Sequence, residues 1–315
     1  MSCERHNGLS WRHKLGSAIR NVRRWLKSVP VIGPILRYLF WWIMLPRRVI
    51  QIEEKVNMQP MYYIGQGMIV AHIHGFRMCL PTNEAGLGMT SSMMWGREWE
   101  HHVTRVFYNV VKDGLTVVDV GANIGYYTLL GARLVGERGR VYALEPEPGN
   151  FRLLQRNVKL NMFHPRVTLV QAAASNRMGK AELLIYDNTG WHSMFQRSDA
   201  KASGHVTVET VRLDDILKDE QDIGLVKIDV EGAEPLVIDG MRGIIQKQAQ
   251  LKIIMEFAPD NIRCSGVDPR GFLKDLSSLG LRRKLIRPDG TTREIDDDTL
   301  LRTPFCYVLL QKGED

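Results

Sequence analysis

Between Leu115 and Val170 the sequence alternates between short apolar runs and segments with helical spacing. The run TVVDVGA is followed by YYTLLGARLVG, whose apolar residues recur every three or four positions, and then by a second run, RVYALEP. Another helical segment, GNFRLLQRNVKLN, precedes a third apolar run, RVTLVQAAAS. Because continuous apolar strands that alternate with helices form parallel sheets covered on both faces, this order predicts an α/β fold.

The second half of the chain adds strands in a different order. The segments KAELLIY and HVTVETVRL predict an extra β-hairpin around a polar loop, before a fourth core strand in LVKIDVEGAE. A fifth core strand is predicted in LKIIMEFAP, and one helix through PLVIDGMRGIIQKQ precedes it. The segment RRKLIRPDGTTREI predicts a hairpin that turns at Asp289–Gly290, and FCYVLLQK predicts the last strand.

The positive charge of the chain is concentrated at its N-terminus. Residues 1–50 contain ten Lys/Arg and one acid, so they carry +9, whereas the whole chain carries +7. The slightly acidic remainder gives no electrostatic reason to expect nucleic-acid binding. The four cysteines have no metal or disulfide spacing, which predicts reduced thiols and a cytoplasmic location. We divide the chain into an N-terminal arm (1–50), a lead-in of strands and loops (51–110) and a core domain (111–315).

The N-terminal arm contains an apolar, aromatic segment, VPVIGPILRYLFWWIMLP, from Val29 to Pro46. This segment is shorter than the roughly 20 apolar residues of a transmembrane helix, and Pro30, Pro34 and Arg37 interrupt it. Its tryptophans and flanking basic residues suit a helix that lies in a membrane interface better than one that spans the membrane. The alternative is a helix that packs on the core domain or on a second subunit, and the oligomeric state stays open.

The turn after the first core strand is built for a ligand. In Asp119-Val-Gly121-Ala-Asn-Ile-Gly125, the two glycines allow the chain to reverse tightly and a ligand to pack on the backbone. The helix N-terminus that follows attracts polar or anionic groups. Glu145 ends the next strand, where an acid typically accepts hydrogen bonds from ribose hydroxyls. These features predict either a dinucleotide or S-adenosylmethionine.

Two residues of the turn distinguish between a dinucleotide and S-adenosylmethionine. A dinucleotide site has the form GxGxxG, so that the backbone can approach a pyrophosphate, but Asn123 stands where the middle glycine belongs. Asp119 would repel a pyrophosphate, whereas a carboxylate suits the ammonium and sulfonium groups of S-adenosylmethionine. The residues therefore favour S-adenosylmethionine as the cofactor over a nicotinamide dinucleotide.

Four segments, VVDVGANIGYYTLL, VYALEPEPGNFRLLQRNVKLN, VRLDDIL and LVKIDVEGAEPLVIDGM, resemble the FkbM family of S-adenosylmethionine-dependent methyltransferases. The resemblance runs from about Trp95 to about Pro259 and is most specific in KIDVEGAE. It implies a Rossmann-like class I methyltransferase fold, with a mostly parallel seven-stranded sheet and an antiparallel C-terminal strand. It also implies methylation of a hydroxyl oxygen on a sugar, a glycan or a related secondary metabolite.

The resemblance also implies which residues contact the cofactor. The glycine turn would hold the methionine part, the acid after the second strand the ribose, and the next helix and third strand the adenosine. The segment WGREWE would line the entrance, although it has an Arg-Glu pair where the family has one residue after the glycine. The residues are Asp119, Gly121, Ala122, Asn123 and Gly125 in the turn, then Glu145, Pro146, Asn150, Ala172 and Ala173, and Glu100 beside Trp99 at the entrance.

The segment KIDVEGAE brings charge to the carboxyl edge of the sheet, where ligands of α/β proteins bind. Strand alternation predicts that Lys227, Asp229 and Glu231 share one face. Because buried charge is costly unless it is paired, these residues form either a structural ion pair or a functional site. We favour Asp229 or Glu231 as the general base for the acceptor hydroxyl, with Lys227 tuning its pKa or holding the acceptor.

Alternatives remain for the identity of the general base, for the function of the chain and for the use of a metal ion. His192, in the loop segment TGWHSMF, is a rival base because histidine titrates nearest neutral pH, and Trp191 beside it is a candidate platform for a sugar. A non-catalytic, methyltransferase-like adapter tethered by the N-terminal arm is the alternative function, although the intact motifs argue against it. We expect no metal, but if a divalent cation is used its ligands would be Asp229, Glu231 and Glu256.

Overall fold

The apolar runs of the sequence form strands, and the segments with helical spacing form helices. The computed structural model describes residues 61–82, 89–96, 98–187, 190–197 and 200–313. The strands are β1 (Tyr62–Gly65), β2 (Met68–Ile73), β3 (Phe76–Pro81), β4 (Thr116–Val120), β5 (Arg140–Leu144), β6 (Val167–Val170), β7 (Ala173–Ala174), β8 (Gly179–Ile185), β9 (Gly204–Val211), β10 (Ile223–Ile228), β11 (Lys252–Phe257), β12 (Leu281–Ile286), β13 (Thr292–Glu294) and β14 (Cys306–Lys312). The helices are α1 (Met89–Gly96), α2 (His101–Val110), α3 (Tyr126–Leu134), α4 (Pro148–Leu160), α5 (Leu213–Ile216), α6 (Glu234–Asp239), α7 (Arg242–Lys247), α8 (Pro259–Cys264), α9 (Pro269–Ser278) and α10 (Asp297–Arg302).

The central sheet has the strand order β13-β12-β14-β11-β10-β4-β5-β6. From β6 to β11 all neighbouring strands are parallel, and every residue of β4 is buried, as expected of a strand covered on both faces. Strand β14 runs antiparallel to β11 and β12. The predicted seven-stranded sheet with an antiparallel last strand is confirmed, and the hairpin strand β13 adds a short eighth strand at one edge.

Helices cover both faces of this sheet, as predicted. On one face, the buried side chains of α2, α3 and α4 form one apolar cluster with the strands β2 and β3. On the other face, buried side chains of the short helices α5 to α8 and of α9 and α10 form a second cluster. Burial of these apolar surfaces is the main force that holds the strand ends, and therefore the site, in place.

The extra hairpin predicted before the fourth core strand consists of β8 and β9, which pair antiparallel over their full length. Strand β9 also pairs with β7, so a second, three-stranded sheet of order β7-β9-β8 stands beside the central one. The loop between β8 and β9 folds back on β8 through reciprocal backbone hydrogen bonds between Ser193 and Leu184. This loop lies at the carboxyl edge of the central sheet, because the hydroxyl of Ser193 also donates to the backbone oxygen of Glu231, three residues after the end of β10.

Two predicted elements are interrupted. The third apolar run is not one strand: β6 ends at Val170, and Ala173 and Ala174 pair with β9 instead of β5. The helix predicted after the fourth strand is two helices, α6 and α7, with a break at Gly240. A Cβ atom at Gly240 would collide with the backbone carbonyl of Ser175, so the close approach of these two backbones requires glycine at the break.

The lead-in strands β1, β2 and β3 form a separate antiparallel sheet that is fastened to α4. The amide oxygen of Asn157 accepts from the backbone N–H of Cys79 at 2.7 Å, and its amide nitrogen donates to the carbonyl oxygen of Ile124 at 2.8 Å. The buried amide of Asn157 therefore ties the lead-in to the start of α3. Among the described residues, no helix has the length and apolar character needed to cross a membrane. The N-terminal arm, with its predicted interface helix, lies outside the described residues.

Candidate active site

The glycine turn sits where strands β4 and β10 end side by side. Gly121 has a φ of 78°, and a Cβ atom there would collide with the backbone carbonyl oxygen of Asp229. Gly125, with a φ of 101°, precedes α3, and its Cβ would press on the side chain of Leu154. Each position therefore requires glycine, which brings the ends of β4 and β10 into contact and allows α3 to start tightly.

Asp119 lies directly beneath this turn and is 1% exposed. The hydroxyl of Thr128 donates to its Oδ2 at 2.6 Å, whereas its Oδ1 has no hydrogen-bond partner among the described residues. Burial raises the pKa of Asp119, and the charge of Lys227 opposes that rise. A buried carboxylate oxygen without a partner is costly, so the geometry fits a ligand with a cationic N–H group, as S-adenosylmethionine has.

Glu145 directly follows β5 and contacts the backbone of the glycine turn. Its two oxygens accept from the backbone N–H groups of Asn123 and Glu147, each at 2.8 Å. Burial raises the pKa of Glu145 to about 8, which these backbone donors oppose. Each oxygen keeps a second lone pair, so the carboxyl group can still accept from the hydroxyls of a ribose.

Two adjoining cavities meet at this turn. The first lies between β5, β7 and the β8–β9 loop, and the second lies between β4, β10 and the aromatic side chains of α3 and β14. We name them after their predicted occupants, the first the adenosine cavity and the second the acceptor cavity. Gly121, Asn123, Asp229 and Glu231 line both cavities. Predicted cofactor residues that line the adenosine cavity alone are Glu145, Pro146, Asn150, Ala172 and Ala173.

The remaining predicted cofactor residues divide between the acceptor cavity and the fold. Asp119 and Ala122 line the acceptor cavity on the side of the glycine turn, and Trp99 and Glu100 line it elsewhere. Gly125 lines neither cavity among the described residues, because its backbone serves the entry of α3. Every predicted cofactor residue except Gly125 therefore lines one or both of the two cavities, and Gly125 is required by the start of α3.

A buried ion cluster occupies the floor of the acceptor cavity. The ammonium group of Lys227, which is 3% exposed, donates to Asp229 Oδ2 at 2.8 Å and lies 4.6 Å from the centre of the Tyr127 ring. Burial disfavours the lysine charge, but the carboxylates of Asp229, Glu100 and Asp119 outweigh it and raise the pKa of Lys227. The lysine is therefore charged throughout the neutral range.

Asp229 differs in charge state from the acids around it. Burial would raise its pKa, but the charge of Lys227 and a hydrogen bond from Glu256 outweigh burial and lower it. For Glu256, burial together with the charges of Glu231 and Asp229 raises the pKa well above its usual range. The result is an ionised Asp229 that accepts a hydrogen bond from a protonated Glu256.

The prediction that Lys227, Asp229 and Glu231 share one face of a strand is wrong in its geometry. Strand β10 ends at Ile228, and Glu231 has a left-handed φ of 53°, so alternation does not extend to it. A turn nevertheless brings the Glu231 carboxyl back towards Asp229. Glu231 forms an ion pair with Arg197 and accepts from Asn261 at 3.1 Å, and it is thereby fixed to the β8–β9 loop and to α8.

The β8–β9 loop closes one side of both cavities. Ser193 Oγ donates to the backbone oxygen of Glu231 at 2.7 Å, and the Arg197 guanidinium lies 4.8 Å from the centre of the Trp191 ring. Trp191 is 40% exposed and lines the acceptor cavity. His192 instead lines the adenosine cavity, where its Nδ1 accepts from the backbone N–H of Tyr186 at 3.2 Å and burial lowers its pKa. This arrangement favours Asp229 over His192 as the base.

The carboxylates proposed as ligands for a divalent cation do lie together. One oxygen from each of Asp229, Glu231 and Glu256 lies within 4.8 Å of the other two. All three already have protein partners, namely Lys227 and Tyr307 for Asp229, Arg197 and Asn261 for Glu231, and Asp229 for Glu256. Use of a metal stays a conditional prediction.

Several residues of the site were not found from the sequence. Tyr307 on β14, Tyr127 on α3 and Arg197 in the loop contact the predicted acids, but no motif marks them. The signal that could have found Tyr307 is its place at the start of the predicted last strand, where it pairs with Glu256 of β11. A polar aromatic residue at the end of a strand predicted beside the acids is a candidate member of such a site.

The sequence model described as the methyltransferase FkbM domain matches residues 119–275. The chain belongs to the FkbM methyltransferase family. Like the family, it is an S-adenosylmethionine-dependent methyltransferase, and the matched segment contains Asp119, Glu145 and the whole KIDVEGAE block. Glu100 and Tyr307 lie outside the segment that matches the FkbM domain.

Individual relatives of this chain have low sequence identity to it. Methyltransferase sdnD of Sordaria araneosa is 27% identical over 177 residues, which are 47% of this FkbM-family chain and 68% of that protein. Methyltransferase 1 of Beauveria bassiana (strain ARSEF 2860) is 28% identical over 148 residues, or 41% of this chain and 59% of that protein. A crystal structure of methyltransferase FkbM from Methylobacillus flagellatus KT is 19% identical with a TM-score of 0.42, covering 64% of this chain and 47% of that one. The chain thus spans less than two thirds of the second and third proteins.

Proposed function

We propose that this chain transfers the methyl group of S-adenosylmethionine to a hydroxyl oxygen of a sugar, a glycan or a related secondary metabolite. The observation that carries the proposal is Asp229, an ionised carboxylate held by Lys227 on the floor of the acceptor cavity, beside the glycine turn. A hydroxyl must lose its proton as its oxygen is methylated, and a carboxylate fixed at this position can accept that proton.

The cofactor would be held by residues of the glycine turn and of the adenosine cavity. The free oxygen of Asp119 suits the cofactor ammonium group, and the spare lone pairs of Glu145 suit the ribose hydroxyls. When bound, S-adenosylmethionine supplies a methyl group that its sulfonium charge has already activated. The acceptor cavity contains more carboxyl groups than basic groups, which also favours a cationic cofactor.

The chain's own contribution to the reaction is orientation and proton transfer. Lys227 fixes one oxygen of Asp229 and keeps this carboxylate ionised. Glu231 is engaged with Arg197 and Asn261, so its role is to hold the loop that covers the site. A base of this kind contributes about 10²- to 10⁴-fold to the rate, and the remaining acceleration comes from alignment of the acceptor oxygen with the methyl group.

Aromatic side chains at the mouth of the acceptor cavity support a sugar or a similar ring as the acceptor. Trp191 and Phe305 both line this cavity and are 40% and 54% exposed. Exposed aromatic faces offer flat apolar surfaces on which a ring-shaped acceptor can pack, while the carboxyl groups at the floor provide hydrogen-bond acceptors for its hydroxyls. The experiment that tests the proposal is transfer of labelled methyl from S-adenosylmethionine into glycan and metabolite extracts, with identification of the labelled oxygen.

Cofactor choice can be tested without an acceptor. Calorimetry should detect binding of S-adenosylhomocysteine and no binding of NAD⁺. Asp119→Asn should weaken S-adenosylhomocysteine binding by about 10- to 100-fold, the equivalent of one charge-assisted hydrogen bond. The same substitution at the exposed Asp222 is the matched control. Unchanged affinity in Asp119→Asn, or binding of NAD⁺ alone, would contradict the proposed cofactor site.

We further propose that the enzyme is cytoplasmic and that its N-terminal arm attaches it to the surface of an anionic membrane. The net charge of +9 and the tryptophans of residues 1–50 support this proposal. The full chain should sediment with liposomes that contain phosphatidylserine, and a variant that lacks residues 1–50 should stay in the supernatant. If the full chain fails to bind such liposomes at low salt, the membrane proposal is wrong.

A further inference from the structure

A tyrosine hydroxyl joins the proposed base to a second buried acid. Tyr307, 2% exposed on β14, donates its hydroxyl hydrogen to Glu100 Oε1 at 2.5 Å, and the same hydroxyl lies 3.1 Å from Asp229 Oδ2. A phenol has one hydrogen, which it can give fully to only one of these carboxyl groups. The shorter contact assigns that hydrogen to Glu100, so the tyrosine oxygen can accept a hydrogen bond from Asp229 whenever Asp229 carries a proton.

Glu100 is held firmly for this contact. The hydroxyl of Tyr127, from α3, donates to its second oxygen at 2.9 Å, so both oxygens of the carboxyl group are bonded by tyrosines. Its backbone is left-handed, with φ 46° and ψ 57°, a conformation that costs a non-glycine residue about 1 kcal/mol or more. Strain of this kind persists where surrounding contacts fix a side chain for a purpose.

We propose that Tyr307 relays the proton of the acceptor hydroxyl from Asp229 to Glu100. This inference rests on the proposed function, because it starts from the proton that Asp229 removes. As the acceptor oxygen forms its bond to the methyl group, its proton moves to Asp229 Oδ2. That proton then passes to the oxygen of Tyr307, while the original hydroxyl hydrogen of Tyr307 passes to Glu100 Oε1. Asp229 is ionised again, Tyr307 is unchanged, and Glu100 has become a neutral acid.

The relay solves a problem that the site itself creates. Asp229 lies on the floor of a cavity that cofactor and acceptor would fill during the reaction, so direct exchange of its proton with water would be blocked. Lys227 stabilises the ionised form of Asp229, which favours prompt release of the proton. Glu100 lines the same cavity and can lose its proton to water after the products leave.

The electrostatics of Glu100 suit a temporary proton acceptor. Burial, followed by the charge of Asp229, raises the pKa of Glu100 to about 7, and Lys227 with the hydroxyls of Tyr307 and Tyr127 opposes the rise. Lys227 and Asp229 face Glu100 from the end of β10 and the residue after it, and the two tyrosines face it from β14 and α3. Near pH 7, Glu100 can therefore both take up a proton and release it.

Tyr307→Phe tests the relay because it removes one hydroxyl and keeps the buried ring. The matched control is Tyr142→Phe, since the Tyr142 hydroxyl also donates to a glutamate, Glu220, at 2.5 Å, but Tyr142 lines neither cavity. In labelled methyl transfer to an acceptor extract, Tyr307→Phe should lower kcat about tenfold, within the range of a proton-transfer group. Calorimetry should give both variants the wild-type affinity for S-adenosylhomocysteine, and the control should keep wild-type kcat.

The pH profile separates a relay from a packing role. Glu100 accepts a proton only when it is ionised, so the wild-type rate should rise with pH through about 7. This limb should vanish in both Tyr307→Phe and Glu100→Gln, because neither can complete the transfer. In cofactor-free protein, infrared difference spectra between pH 6 and pH 8 should contain a protonated-carboxyl band to which Glu145 also contributes, and Glu100→Gln should reduce this band.

The outcomes distinguish the relay from the underlying reaction. If Tyr307→Phe retains the wild-type kcat and pH profile, methyl transfer stands and the relay is wrong. The relay is also wrong if the infrared band is unchanged in Glu100→Gln. If wild-type protein binds S-adenosylhomocysteine but labels no acceptor in any extract, the proposed function fails, and the relay fails with it.

Discussion

Asp229→Asn is expected to lower kcat by about 10²- to 10⁴-fold without weakening the binding of S-adenosylhomocysteine. Asparagine has nearly the same shape, and its amide oxygen can still accept from Lys227, which lies 2.8 Å from the carboxylate. It cannot, however, take a proton from the acceptor. The measurement is labelled methyl transfer at saturating cofactor, together with calorimetry of both proteins.

Two further variants test whether this loss of activity is specific to Asp229. Asp222→Asn, the same change at an exposed position, should have wild-type activity. Glu231→Gln should cost less activity than Asp229→Asn, because Glu231 is engaged with Arg197 and Asn261 and acts by holding the loop. Full turnover by Asp229→Asn would clear this residue of a role as base, and a larger loss in Glu231→Gln would move that role to Glu231.

The sequence predicts the fold well where the signal is local. The buried runs that became β4, β5 and β10 are continuous in the chain, and the helix α4 follows from the spacing of its apolar residues. Interruptions that depend on contacts between distant segments are absent from the prediction. At the break between α6 and α7, for example, Gly240 approaches the backbone of Ser175, a residue 65 positions earlier, too closely for any side chain.

The same distinction holds for the site. Asp119, Glu145 and Asp229 could be grouped from the sequence because each lies at the end of a strand or directly after it, and parallel strands bring such positions to one edge. Tyr307 and Arg197 reach that edge from an antiparallel strand and a long loop, whose registers the sequence does not specify. Glu231 was grouped correctly for a wrong reason, since a left-handed turn and not strand alternation carries it there.

Lys227 links the acids of the site, because it is a buried positive charge that opposes the negative charge of several of them. Its ammonium group bonds to Asp229, and its charge also acts on Asp119 and Glu100. A buried ion pair contributes little net stability, but removal of one partner leaves uncompensated charge in a medium of low polarity. The loss of unfolding free energy when Lys227 is replaced therefore measures how far the acids of the site depend on this lysine.

Lys227→Met is therefore expected to destabilise the fold by about 3–5 kcal/mol near pH 8, measured by urea unfolding. Without the lysine, the pKa values of Asp229, Asp119 and Glu100 rise in the folded state, so the folded protein holds protons that the unfolded chain has released. Stability then increases as pH falls, and the penalty should shrink between pH 8 and pH 5. The control is Lys218→Met, at an exposed lysine, which should stay within about 0.5 kcal/mol of wild type.

A double variant tests the cause of that penalty. Lys227→Met combined with Asp229→Asn removes the carboxylate that the lysine contacts directly, and it should recover part of the lost stability at pH 8. The recovery should be smaller at pH 5, where Asp229 can neutralise itself by taking up a proton. If Lys227→Met unfolds too readily to purify, the double variant and Asp229→Asn still measure the effect. Equal stability of Lys227→Met and Lys218→Met at pH 8 would show that the acids do not depend on Lys227.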